Sequence, residues 1–246
     1  MMRILSYKHI IFLLVPLFLV GCINQIEPQV QGWLHIGKPI QESVSETRTS
    51  VDEIDYLVSI SKNGNMVMNP IRYSVIGNSI PLSADEYTLI AESCTKTEAE
   101  ALPTLYGQPR YVGTESFTIS PNQRTEVFVK CSMANAAFKV VKDASFYYTS
   151  FKVTATVGHR SLEFSDDESI AYYNVEENNE ATLTYVVEAI DAEGRKGYGS
   201  GSLVLKARNL SKLNLKANSV GYLDIEITYD DTFTPYVTEI VIPDEI

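Results

Sequence analysis

The sequence predicts an all-β chain, and two observations carry that class. Val, Ile, Thr, Tyr and Phe dominate the ordered segments, and no window of twelve or more residues shows a helical period. Short strands with alternating polarity recur at roughly 8- to 12-residue spacing, separated by polar turns, as in β-sandwiches of about 100 residues each. A length of 246 residues, of which 45% are apolar, is enough for two such cores. The expectation is two tandem β-sandwich domains, immunoglobulin-like or transthyretin-like, over residues 32–133 and 134–246.

The first element is not part of either sandwich. Residues 1–8 carry Arg3 and Lys8 and no acid, and an apolar run of eleven residues, Ile10 to Val20, follows. That run is about half of the roughly 20 residues needed to span hydrocarbon, so it reads as the core of a signal peptide covering residues 1–21. It ends in Leu19-Val20-Gly21-Cys22, which resembles the lipobox of bacterial lipoproteins. The resemblance implies that Cys22 becomes the first mature residue, bearing lipid on its sulfur and its amino group. Two or more acyl chains give stable attachment where one is marginal, so the expected membrane partner is reached through lipid on Cys22. Ile23 stands where an Asp would resemble an inner-membrane retention signal, which favours the outer membrane.

Loss of residues 1–21 removes two positive charges and no negative one, leaving 225 residues and taking the net charge from −11 to −13. An acidic body suits a soluble exported domain and is repelled by anionic head groups, so lipid rather than charge would hold it down. The same balance, with no Lys/Arg-rich run, gives no footprint for a phosphate backbone and excludes nucleic acid as a partner class.

Residues 22–31 read as a lipidated tether. Gly32–Ile36 is a short strand, and Gly37 to Asp52 is a polar loop that holds Arg48. Tyr56–Ile60 and Met66–Met68 flank Asn63-Gly64, the pair that supplies the positive φ angles of a tight hairpin. Further strands are expected at 71–76, 87–93, 115–119 and 125–132, the last two forming a hairpin across Ser120-Pro-Asn-Gln123. From Ala134 the pattern restarts, with strands at 137–141, 148–157, 161–164, 170–173, 181–190, 198–206, 212–215, 221–229 and 236–242.

Cys94 and Cys131 remain once Cys22 is committed to lipid. Both lie in strand-like runs of an exported chain, where a pair persists as a disulfide or as two buried thiols. The disulfide is the first expectation. It would close a loop of about 38 residues and contribute roughly 3 to 4 kcal/mol in the chain-entropy model.

Gly32-Trp-Leu-His-Ile, the hairpin after Asp55, Ile80 to Cys94, Tyr106-Gly107 and Val127-Phe-Val-Lys-Cys131 together resemble a family of Bacteroidales surface lipoproteins, over most of the mature chain. That family is all-β and similar in layout to fimbrillin-type pilins and their lipid-bearing anchor subunits. The resemblance implies adhesion or fimbrial accessory work, with a protein partner at the cell surface. The chain departs from it at Ala84-Asp-Glu86, where a Gly commonly precedes the Tyr; Asp tolerates left-handed geometry, so the turn survives. Arg48 resembles a position where some fimbrillins are cleaved to release their first strand, and the run Tyr236–Ile242 is an apolar strand suited either to its own sheet or to a neighbour's open edge.

No residue pattern supports catalysis. His35 falls in a strand and His159 in a turn, neither beside a nucleophile or carboxylate motif, so no catalytic residue and no cofactor are assigned. The acidic turns at 165–168 and 229–231 lack the spacing of a calcium loop, and no zinc ligand set is present, so no metal is assigned. For a glycan, flat aromatic surfaces are needed; Trp33 and, in the Pro-bracketed loop 102–111, Tyr106 and Tyr111 are the candidates.

Overall fold

The computed structural model describes residues 30–36, 39–41, 54–176, 178–219, 222–230 and 238–240. Cys22 and Arg48 lie outside these residues, as do most of the tether and most of the loop that follows the first strand.

The first half contains β1 (Gln31–Ile36), β2 (Pro39–Gln41), β3 (Leu57–Lys62), β4 (Asn65–Arg72), β5 (Ile80–Ser83), β6 (Asp85–Glu92), the single helix α1 (Lys96–Ala101) of the described residues, β7 (Tyr111–Ile119), β8 (Arg124–Val127) and β9 (Val129–Met133). The second contains β10 (Asn135–Lys142), β11 (Ser150–Val157), β12 (Arg160–Phe164), β13 (Ile170–Asn174), β14 (Glu180–Ile190), β15 (Lys196–Lys206), β16 (Leu210–Ser219) and β17 (Tyr222–Asp230), and β18 (Thr238–Ile240) comes last.

Alternation decides which side chains go in. In β6 Tyr87, Leu89 and Ala91 are buried, and β14 buries Leu183, Tyr185, Val187 and Ala189 while the residues between them face outward. The inward sets collect into two main cores. One holds Leu34, Val58, Ile60, Leu89, Ile119, Val129 and Met133, between the sheet β5-β1-β8 and the sheet β2-β18-β9-β7-β6-β3-β4. The other holds Phe138, Val153, Phe164, Leu183, Leu205, Leu213 and Leu215, between β13-β10-β16-β17 and β12-β11-β14-β15. The fold is all-β and built of sandwiches, as the alternation predicts.

The β3–β4 hairpin turns where Asn63-Gly64 stands, with φ of 50° and 77° and Lys62 paired with Asn65. Two expected pairings differ. After Ser120-Pro-Asn-Gln123, β8 does not pair with β7; it runs parallel to β1, from Trp33 opposite Arg124 to Ile36 opposite Val127. The chain then crosses at the exposed Phe128 into β9, which does pair with β7. Val127 and Val129 are both buried across this corner, so one alternating run serves both sheets of the sandwich. The second difference is β18, which pairs with β9 and β2 in the first half's sheet rather than completing a sheet of the second half.

The helix α1 is short and locally encoded. Thr95 Oγ1 accepts from the Glu98 amide at 3.2 Å, and the Glu98 carboxylate accepts from the Thr95 amide at 2.8 Å, a reciprocal cap of the kind that Thr-x-x-Glu provides.

Candidate functional site

The cysteines are placed apart. Cys94 follows β6 and Cys131 lies in β9, with β7 between these strands. Two strand spacings amount to roughly 9 to 10 Å, beyond the Cα reach of a disulfide. Both are free, buried thiols, which corrects the first expectation. Cys131 Sγ lies over Gly113 and contacts the Ala91 carbonyl at 3.8 Å. Burial pushes its thiol up to about 12, and burial also raises Cys94.

The three aromatic candidates are not brought together. Tyr111 is 4% exposed in the first core, which closes its ring to a ligand. Tyr106 is held at the junction of the halves, its ring 5.2 Å from Phe164 and its hydroxyl donating to the Glu163 carbonyl at 2.7 Å. Trp33 alone remains open, on β1. His35 Nδ1 contacts the Asn78 carbonyl. Asp166, in the acidic turn 165–168, accepts from the amides of Glu168 and Ser169, which accounts for its position as an ordinary turn residue. Among the described residues no three His, Cys, Asp or Glu side chains group closely enough to hold a metal ion, and no helix is long and apolar enough to cross a membrane.

The junction is a dense polar network centred on a residue with no motif to announce it. Arg160, at the start of β12, donates to the carbonyls of Tyr172, Glu100 (2.8 Å) and Leu105 (2.5 Å). Its guanidinium stands 4.9 Å from the Tyr173 ring centroid and 3.9 Å from Glu100 Oε1. Burial lowers its pKa. Glu100 in turn accepts from the Asn174 amide at 2.8 Å, and Asn174 Nδ2 donates to the Lys96 carbonyl at 2.9 Å. The packing is reciprocal. Tyr106 of the first half packs on the second core, and Tyr172 of the second half packs on the first.

The chain enters the first sandwich at the end opposite this junction. The Val30 carbonyl accepts from Ala84 and that of Gln31 from Asn122, each at 2.9 Å, so the turns at 84 and 120–123 surround the entry. β7 leads from that end to Tyr111, beside Met133 and the junction, a length of about 30 Å for nine residues. β10 then carries the chain on to the far end of the second half, where the segment 143–149 meets the β14–β15 turn: the Thr149 amide donates to Ile190 at 2.9 Å.

That end presents two open aromatic rings, one of them bonded to an arginine. Tyr147 and Tyr198 are 42% and 62% exposed. Arg195 donates to Tyr147 Oη at 2.9 Å, to Glu193 Oε2 at 2.6 Å and to Asp191 Oδ2 at 2.6 Å. Asp191 is buried and also accepts from the amides of Glu193 and Arg195 at 3.0 and 2.8 Å. Burial opposes its charge, but the Arg195 side-chain and backbone bonds prevail and hold the carboxyl below the usual carboxylate range. An exposed phenol beside a fixed guanidinium, as at Tyr147, can stack on a flat ring and bond its hydroxyls. Asp191-Ala-Glu-Gly194 is legible as a turn; nothing in the sequence marks which ring of Tyr147-Tyr148 faces out.

These features define a class: an all-β chain of two sandwich cores whose entry and whose open aromatic end lie apart. The chain belongs to the family described as Domain of unknown function (DUF4493), whose sequence model matches residues 31–244. No curated protein matches it. Among solved structures it is similar to a candidate cell adhesion protein of Bacteroides eggerthii, at 9% identity and a TM-score of 0.47, covering 85% of this chain and 97% of that one. A candidate cell adhesion protein of Bacteroides ovatus is similar at 11% identity and a TM-score of 0.43, covering 86% and 98%. Candidate polysaccharide-binding proteins of Bacteroides thetaiotaomicron follow at 8% and 0.34, covering 75% and 89%.

Proposed function

We propose that this protein is a non-enzymatic, lipid-anchored outer-membrane protein of the cell surface that works in adhesion, as an anchor or accessory subunit of a fimbria-like assembly with a protein partner. The observation that carries the reading is the ordered series of a basic start, an eleven-residue apolar run and Leu19-Val20-Gly21-Cys22, followed by a body made almost wholly of sandwiches. The location of the chain entry supports it, since an anchor at Cys22 leaves the second half on the far side of the first. A second reading, glycan binding, is supported by the exposed Tyr147, which accepts from Arg195, and by the exposed Tyr198 on β15.

The test is made in cells expressing the full chain. Radiolabelled palmitate is expected in the wild type and absent from Cys22→Ala, and protease added to intact cells is expected to cleave the wild-type chain. Absence of label, or full protection from protease, would overturn the anchored surface reading. On a glycan array, reproducible binding lost in Tyr147→Ala/Tyr198→Ala would replace the adhesion subunit by the glycan binder.

A further inference from the structure

We propose that the entry end of the first sandwich is a docking face for the lipid surface itself, so that the body rests end-on against the membrane; this rests on the anchored reading above. Four large apolar side chains are exposed towards that end: Val30, Trp33, Met66 and Val67, at 45%, 43%, 53% and 48%. Val30 and Trp33 lie on the segment the tether feeds directly. Met66 and Val67 open β4 just past the Asn63-Gly64 turn, and Lys62 before that turn pairs with Asp85 beside Ala84, whose amide bonds Val30. The turns at 63–64, 84 and 120–123 therefore share one end with the chain entry.

The occupant follows from reach and charge. Cys22 precedes Val30 by eight residues, which span at most about 28 Å when extended, so a lipid on Cys22 holds this end within that distance of the bilayer. A mature chain of net charge −13 is repelled by anionic head groups, whereas this end offers apolar side chains, including a Trp of the kind that settles at the head-group level. Lys62 and Asp85 neutralise each other there. A face this small would bind free vesicles weakly, but a short tether makes the contact intramolecular and raises its effective concentration. The consequence is orientation: the second half, with Tyr147 and Tyr198, points away from the membrane.

Trp33 is the single tryptophan and reports the contact by itself. A chain from Cys22 to Ile246 keeps every described element, and its Cys22 thiol can be coupled to maleimide-bearing lipid in phosphatidylcholine vesicles, because Cys94 and Cys131 are buried. Trp33 emission is expected to shift to shorter wavelength on coupling and to lose most of its intensity when the vesicles contain dibrominated phosphatidylcholine. The variant Met66→Asp/Val67→Asp, with an unchanged circular dichroism spectrum, is expected to lose both effects. Emission that ignores the bromolipid, or quenching equal in the variant, would overturn the docking face. Because the anchor is imposed chemically, that failure is distinct from a failure of cells to lipidate Cys22, which the palmitate label reads.

Discussion

At the scale of single residues, the two thiols show how one missing side chain decides chemistry. Gly113 stands opposite Ala91, and a Cβ there would lie 2.9 Å from Cys131 Sγ and 2.6 Å from the Lys130 carbonyl. Its absence lets Cys131 pack flat in the core, away from Cys94. The native protein is therefore expected to resist alkylation at both cysteines and to take up two equivalents on unfolding, with a melting temperature indifferent to reductant; a melting point that falls on reduction would contradict this. A thiol raised to about 12 also sets a sign in base. The folded state keeps its proton while the unfolded state loses it above about pH 8.5, so this contribution is complete below that pH and is lost as pH rises towards 12. Cys131→Ala is expected to flatten the alkaline decline in urea midpoint relative to wild type. Strand alternation makes the burial of Cys131 legible in the sequence. The cysteine's partner is not, because pairing depends on which strand lies between.

At the scale of elements, local rules carry most of the fold. Alternation marks β14, and Asn63-Gly64 marks the β3–β4 turn, because both signals act between near neighbours. The helix α1 escapes a search for helical periods, since six residues are under two turns; its signal is the Thr95 and Glu98 pair alone. The partner of β8 escapes for another reason, as parallel pairing with β1 joins residues about ninety positions apart and leaves no local trace. The β14–β15 turn is built around the buried Asp191 carboxylate, which binds two turn amides and Arg195, and its pH dependence follows from the chemistry. The Asp191 pKa lies below its ordinary value, so its contribution is present above about pH 4, the unfolded range, and is lost as pH falls through the folded value. Asp191→Asn is expected to lower the melting temperature at neutral pH and to reduce its dependence on pH in the acid range. An acid profile parallel to that of wild type would show that Asp191 is not the group responsible.

At the scale of the whole molecule, the question is whether two cores behave as one body. Only Ala134 separates β9 from β10, and a linker alone would leave them independent. Three features oppose that independence: the exchange of Tyr106 and Tyr172 between the cores, the return of β18 to the first sheet, and Arg160. Arg160 carries the largest share of the polar contacts, because three main-chain carbonyls from both halves converge on one planar group. A Lys could not reach the same set, since its ammonium is a point donor without the guanidinium's fixed fork. Arg160→Ala leaves partly buried carbonyls at Glu100, Leu105 and Tyr172 without their donor and is expected to cost about 3 kcal/mol. Scanning calorimetry separates the two possible consequences. With the junction as the coupling element, wild type melts in one transition, and the variant splits into two as each core unfolds at its own temperature. A variant that keeps a single transition, merely shifted down, would mean that β18 and the exchanged tyrosines hold the halves together without the arginine. Coupling bears on the surface role directly: contact at the membrane end can fix the direction of Tyr147 and Tyr198 only if the body between them does not bend at Ala134.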